Sequence, residues 1–393
     1  MKRRFWLIVL SVLMTMCFAA VLQAETGVTD NEILIGSQTD LSGPHAAWGI
    51  LAKKGLQMRV DEINAAGGIY GRKIKLLVED HQSDPKKAVI LTNKMITRDK
   101  VFCFVYNMGS ATGLATLPII TKNKVPFVFP LSAHQGFYEP HNRYSYQAST
   151  PYEMQAAVGV KYIVEKLGAK KVGLIYQDDE FGSLLKKGME KELAKHNMKL
   201  AAAESYKSGA TEFSSQIALL KKADVDFLFL GTIIRETVGV VKEAKKIGWS
   251  VPMMASAAVI TKYTPGLAAQ AGAPIDGLYA VSHTPYVFSS LDPKVKEWAV
   301  RYEKISGEKP DQPVAHGYEG MDWLAIAIKN AGKDLTREKL IDALDKFNGV
   351  PGALGSQPLY FSPKSHLGAK AAFITVYKNG TFEKITDFMY ADK

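Results

Sequence analysis

Apolar residues fall along this chain in short unbroken runs, and the stretches between the runs show helical spacing. In the first third the runs are Glu32–Gly36, Val101–Val105 and Val125–Pro130, while Lys73–Glu79 alternates as a strand. A helical pattern from Gly49 places Leu51, Leu56, Val60 and Ile63 on one face, and Ala65-Ala66-Gly67-Gly68 ends it with a glycine stop. Asp84-Pro85 caps a second helix running to about Asp99, with proline at the first helical position. A third runs from Ala111 to Lys122. Strands apolar on both faces, alternating with helices, predict a parallel doubly wound sheet.

A second series starts at Pro151, which opens a helix to about Leu167. Strands follow at Lys171–Tyr176, Lys199–Tyr206, Asp226–Gly231 and Val251–Ala255. Helices separate them at Gly182–His196, Glu212–Lys222 and Arg235–Ile247. This is a second sheet of the same kind with its own core. After Tyr279–Ser282 the pattern becomes helical, at Pro293–Ser306, Pro313–Ala331 and Thr336–Phe347. The chain closes with Ala371–Lys378, Asn379-Gly380 and Thr381–Ile385, a strong hairpin signal. The helical block has no sheet of its own, so it should return to cover the first, while the hairpin adds to the second.

The expected fold class is therefore α/β, with two doubly wound parallel-sheet lobes joined by a three-crossover hinge. The crossings fall near Ala148–Pro151, Ser282–Pro285 and Gly355–Phe361. Residues 25–148 plus 283–355 form lobe 1, and 149–282 plus 356–393 form lobe 2. A ligand cleft is expected at the carboxyl ends of both sheets.

Residues 1–24 change the picture of where this protein acts. Lys2-Arg3-Arg4 precedes an apolar run from Phe5 to Val21, and Ala24 precedes Glu25. That reads as a cleaved signal peptide and a periplasmic address; the alternative is an uncleaved anchor close to the shortest spanning length. Met16 stands where a lipobox before Cys17 needs a small residue, so lipidation is not expected. The net charge of +10 comes from lysine pairs scattered over helix faces, such as Lys53-Lys54 and Lys245-Lys246. No basic stripe interleaved with aromatics occurs, so no nucleic-acid partner is expected. With the signal peptide removed, Cys103 is the one cysteine, which excludes an intrachain disulfide or a cysteine metal site. It lies within an apolar run and reads as a small buried hydrophobe.

Chemistry concentrates at Val101–Gly113, where an apolar strand breaks at Gly109-Ser110 and continues as a helix. Such a corner offers a hydroxyl and helix N–H groups to an anion. A catalytic set is not apparent. Ser110 lacks the flanking glycines of a nucleophile elbow, and none of the eight histidines forms a metal-type pair with another His or Cys. Gly67-Gly68-Ile69-Tyr70-Gly71 follows a helix and precedes a strand, the reverse of a dinucleotide fingerprint, and reads as a turn. Asp178-Asp179-Glu180 reads as acidic solvation or a helix cap. No cofactor, metal or enzymatic activity is expected, and the chain reads as a binding protein.

Particular segments carry a family resemblance. They are Ile35-Gly36 through Leu41-Ser42-Gly43-Pro44, then Asp61-Glu-Ile-Asn-Ala-Ala-Gly-Gly-Ile-Tyr-Gly-Arg-Lys-Ile74, Glu79-Asp80-His-Gln-Ser-Asp84-Pro85, and Asp178-Asp-Glu-Phe-Gly182. Together they resemble the periplasmic leucine/isoleucine/valine-binding proteins, the solute receptors of branched-chain amino acid ABC importers. The resemblance implies the type I periplasmic-binding-protein fold, closing on its ligand as a hinge. Carried over residue by residue, it implies that Ser110 holds a ligand carboxylate, with Leu131, Ser132 and the backbone of Ala133 beside it. Trp48 matches the aromatic of the first loop, and Phe181 matches a tyrosine of the second lobe.

Two positions depart from the family. A second tyrosine falls at Ile233, and the acid that pairs with the ligand ammonium falls at Ala257. Either Glu236 or Asp179 substitutes for that acid, or the ligand lacks an amine. The expected function is capture of a small apolar carboxylate, amino acid or amine-free, for the permease subunits of an ABC importer, by a monomer. A sensor docking onto a membrane receptor and a secreted hydrolase are the alternatives.

Overall fold

A computed structural model describes residues 25–283, 287 and 292–391. The expected signal peptide and the Pro285 end of the second crossing lie outside the described residues. The first sheet contains β1 (Glu32–Thr39), β2 (Lys73–Asp80), β3 (Cys103–Val105), β4 (Phe127–Val128) and β5 (Ser145–Tyr146). Its order is β2-β1-β3-β4-β5, and every pairing is parallel. Helices α1 (Ala46–Ala65), α2 (Pro85–Thr97) and α3 (Ser110–Lys122) make the crossovers. Residues Val101 to Val105 are fully buried, as expected of a central strand covered on both faces. One face packs Ile35, Cys103 and Val105 against Leu324 and Ile328; the other packs Phe104 and Phe127 with Met95, Ile120 and Phe137.

The second sheet has eight strands. Its parallel part is β6 (Val172–Gln177), β7 (Ala202–Tyr206), β8 (Phe227–Gly231), β9 (Met253–Ala255) and β10 (Tyr279–Ser282). Strands β13 (Ala371–Lys378), β14 (Thr381–Lys384) and β15 (Met389–Tyr390) add in antiparallel fashion through β10. Its order is β14-β13-β10-β9-β8-β6-β7, with β15 also paired to β13. The helices are α4 (Tyr152–Glu165), α5 (Glu180–Lys195), α6 (Ser214–Lys222), α7 (Ile234–Lys246) and α8 (Tyr263–Gln270). Strand β8 shows the two-faced burial directly, with Phe227 and Phe229 in one core and Leu228 and Leu230 in the other.

The late helices are α9 (Pro293–Ser306), α10 (Gln312–Ala331) and α11 (Arg337–Leu344). Helix α10 lies directly on α1. A Cβ on Gly55 would stand 1.9 Å from the Val314 carbonyl oxygen, and one on Gly317 would stand 2.1 Å from that of Ala52. Two glycines thus let the backbones touch, which is how a helical block without a sheet finds its partner. A small ladder of β11 (Asn348–Val350) and β12 (Leu359–Tyr360) leads back to β13.

Several boundaries move. Strand β1 runs on to Thr39 through residues expected to be loop, because its central position lets β2 pair with its backbone as far as Asp80. Helix α1 accordingly starts at Ala46. Strand β7 is shorter than the expected Lys199–Tyr206, and α11 stops at Leu344 rather than Phe347. No helix among the described residues is long and apolar enough to cross a membrane.

Candidate functional site

A cavity of about 130 Å³ opens where the strand ends of the two sheets face each other. Its lining comes from one corner after another: His45 and Trp48 after β1, Met108–Ser110 after β3, Leu131–Ala133 after β4. Opposite lie Gln177, Asp179 and Phe181 after β6, Ile233 after β8 and Ser256–Ala258 after β9. Ser149, Tyr152 and Gln155 of the first crossing, His283 at the end of β10 and His316 of α10 complete it. This is the carboxyl-edge position at which open α/β sheets bind ligands. All eight residues singled out from the sequence (Trp48, Ser110, Leu131, Ser132, Ala133, Phe181, Ile233 and Ala257) line this one cavity.

The first-sheet wall is polar. After β3 the chain turns at Tyr106, at φ 60°, and Gly109, at φ 96°, caps α3 with no side-chain acceptor. A Cβ at Gly109 would meet the Thr112 hydroxyl oxygen at 2.5 Å, so glycine is required there. Phe129 bends the end of β4 in the same way, at φ 55°. Helix α3 starts at Ser110 itself, one residue before the expected Ala111. Ser110 is therefore not the cap; its Oγ lies 2.8 Å from Ser132 Oγ. The N–H groups of this first turn have no acceptor within the helix, and they form the positive end of its dipole. Gln147 Nε2 donates to the Ser132 carbonyl at 2.6 Å and holds the second corner in register.

Tyr152 also belongs to this wall. Burial pushes its phenol pKa up, and the Ala133 backbone and the Ser132 and Ser110 hydroxyls are the hydrogen-bonding groups around its oxygen. Its ring meets Phe181 edge-on at 4.8 Å.

The second-sheet wall presents Phe181, Ile233, Ala257 and Ala258 beside Gln177 and Ser256, and its one carboxylate among the described residues is already engaged. Asp179 caps α5, with Oδ1 accepting from Phe181 N at 3.0 Å and Gly182 N at 3.1 Å, while Gln177 Nε2 donates to Oδ2. Glu236 is buried in the first turn of α7 and does not line the cavity. Ile233 caps α7 without a side-chain acceptor, and Ala257 opens a short 3₁₀ turn. Neither lysine nor arginine is among the described residues of the lining.

Hydrogen bonds tie the two walls across the opening. Trp48 Nε1 donates to the Ala258 carbonyl at 2.9 Å, and Arg235 donates to that of Pro44 at 3.0 Å. Lys262 N donates to both carboxylate oxygens of Asp311, at 3.1 and 3.0 Å, and burial pushes that carboxyl up to about 6.

Also at the strand ends, Asn107 accepts from Gln38 N at 3.1 Å and serves the sheet. His134 caps a 3₁₀ turn by accepting from Gly136 N. Sequence reasoning missed Tyr152, His283 and His316, which arrive from crossings and a distant helix. The proline before Tyr152, at a helix start, was the one local signal available.

Comparison with known proteins agrees with this geometry. The sequence profile of the periplasmic binding protein family matches residues 32–381. The leucine-, isoleucine-, valine-, threonine- and alanine-binding protein of Pseudomonas aeruginosa is 25% identical over 334 residues, covering 84% of this chain and 87% of that protein. Among solved structures, a fatty acid ABC transporter substrate-binding protein from Thermomonospora curvata superposes with a TM-score of 0.84 at 25% identity. That alignment covers 94% of this chain and 95% of the other. The branched-chain amino acid transporter substrate binding protein of Streptococcus pneumoniae, in complex with isoleucine, gives 0.78 at 26% identity, covering 91% and 100%.

Proposed function

The chain belongs to the periplasmic binding protein family, and from that premise we propose that it captures a small apolar carboxylate in this cavity and presents it to the permease of an ABC importer. The observation carrying the reading is the uncapped start of α3, with the Ser110 and Ser132 hydroxyls 2.8 Å apart, in a lining that has no lysine or arginine among its described residues. A lone carboxylate fits hydroxyls and a helix N-terminus without a full counter-charge. Trp48, Phe181, Ile233 and Ala257 wall the apolar part of the ligand, with Leu131 and the Ala133 backbone beside the carboxylate.

One relative takes a fatty acid and another takes leucine, isoleucine, valine, threonine and alanine, and both support a carboxylate ligand. The engaged carboxylate of Asp179 and the apolar Ala257 favour an acid without an amine. An ammonium buried without its counter-charge would lose ~2–5 kcal/mol.

The working unit is two lobes, 25–148 with 283–355 and 149–282 with 356–393, opening and closing about the three crossings. The ligand favours the closed form only through the contacts it makes to both walls. Residues 1–24 direct export to the periplasm and are removed there, and the protein acts as a monomer that catalyses no reaction.

A thermal-shift comparison of leucine, 4-methylpentanoate (its deaminated analogue) and benzoate tests the reading. Stabilisation by the amine-free acids is expected. A shift with leucine alone would refute the amine-free ligand, and no shift with any acid would refute the carboxylate itself.

A further inference from the structure

The cavity has a second polar end that the carboxylate does not use. His283 and His316 stand with ring centroids 5.0 Å apart and nearly perpendicular, and both line the cavity. His316 is 7% exposed. Both ring nitrogens of His283 and Nε2 of His316 are sealed from solvent and have no hydrogen-bond partner among the described residues. Trp48 meets His316 edge-on at 5.9 Å, so the pair adjoins the aromatic that bridges the two walls. Burial alone lowers the His283 pKa, to about 4, and burial with His283 beside it lowers that of His316. No acidic or basic side chain contributes at either ring except the other histidine, so this floor is uncharged at neutral pH.

We propose that His283 and His316 form a second polar subsite that takes a hydroxyl or carbonyl oxygen on the ligand, remote from its carboxylate. The inference rests on the carboxylate reading of the same cavity and narrows it to hydroxy- or oxo-substituted acids. A neutral imidazole carries one N–H donor and one bare acceptor nitrogen. A hydroxyl both donates and accepts, so one such group satisfies a nitrogen on each ring. An ammonium or second carboxylate fits less well, because burial keeps both rings neutral and Glu319 in the adjoining space is already engaged by Leu354 N and Ser356.

The same two rings separate the cavity from a smaller space lined by Tyr106, Glu319 and Gln357. The terminal torsion of histidine is roughly two-fold, so a ring can present a nitrogen to the cavity side without leaving its place. A hydrocarbon end placed here would keep three buried nitrogens unpaired, and selection against such a ligand follows from that.

The test is calorimetric titration of the ligand-free mature protein with benzoate and with 2-, 3- and 4-hydroxybenzoate. At least one hydroxybenzoate should bind about tenfold more tightly than benzoate. In His316→Phe that advantage should vanish, so that the hydroxybenzoate and benzoate bind with affinities within about threefold of each other. His283→Asn, which keeps a hydrogen-bonding group, should retain part of it. The proposal is overturned if no hydroxy acid exceeds benzoate, or if the advantage survives in His316→Phe. Acids that bind without any hydroxyl preference overturn this inference alone. Failure of every acid, 4-methylpentanoate included, overturns the carboxylate reading beneath it.

Discussion

The β3–α3 and β6–α5 corners are built alike and end differently. Each runs from a buried parallel strand into a helix whose start faces the cavity. At the first, Gly109 is the cap and offers no side chain, so the N–H groups of α3 stay open beside Ser110. At the second, the Asp179 carboxylate accepts from Phe181 N and Gly182 N and closes the helix start from within the chain. One residue at the cap thus decides whether a helix terminus is available to a ligand or already satisfied. The cavity takes open N–H groups and two hydroxyls from one corner and the Phe181 ring from the other.

The strongest way to break this comparison is to give the open corner its own carboxylate. Ser110→Asp should lower affinity for 4-methylpentanoate by on the order of a hundredfold or more, through like-charge repulsion in a buried site. Calorimetry reads the loss, and a circular dichroism melt close to wild type shows that the fold persists. Retained affinity would move the anion site elsewhere.

Ala257→Glu sharpens the contrast from the other side by adding a second acid to the second-sheet wall. The affinity of leucine relative to 4-methylpentanoate should rise by about 30-fold, or ~2 kcal/mol. An unchanged ratio in paired titrations would show that the amine, if present, does not approach this wall.

The walls are held together partly by Asp311, whose carboxyl burial pushes up to about 6. An unfolded aspartate ionises near ~3.9, so the folded chain binds the extra proton between those values. Its contribution to stability is complete below about pH 4 and is lost as pH rises through about 6. Relative to Asp311→Asn, the wild-type melting temperature should therefore fall over that window, by the equivalent of roughly 3 kcal/mol. Parallel pH profiles of the two proteins would contradict this.

The smallest effect belongs to the closed corner. Asp179→Ala removes the cap and should cost about 1 kcal/mol of stability, read by chemical denaturation, with little change in 4-methylpentanoate affinity. A collapse of leucine binding that exceeds this loss would instead make Asp179 the partner of a ligand amine.

The local parts of this architecture were legible in the sequence. Val101–Val105 declared a buried strand by being apolar throughout, and Gly109-Ser110 declared a corner by interrupting it. Ser110 followed from that corner, and the other seven cavity residues followed from the family resemblance. What stayed hidden depended on distant packing. Strand β5 is a polar-aromatic pair, Ser145–Tyr146, recruited only because β4 offers it an edge. Helix α8, Tyr263–Gln270, buries little beyond Thr264 and Ala268 and shows no amphipathic stripe. His316 reads as an ordinary helical residue until Gly55 and Gly317 bring α10 onto α1. Tyr152 reaches the open corner only because the first crossing returns beside Ala133, where its N–H donates to that carbonyl at 3.0 Å.

A crystal structure grown with 4-methylpentanoate locates the ligand carboxylate relative to the open corner. A carboxylate oxygen is expected within about 3.2 Å of Ser110 Oγ, with the alkyl end against Phe181 and Ile233. A carboxylate found at the Ile233–Ala257 wall, with the alkyl end against Ser110, would contradict this placement.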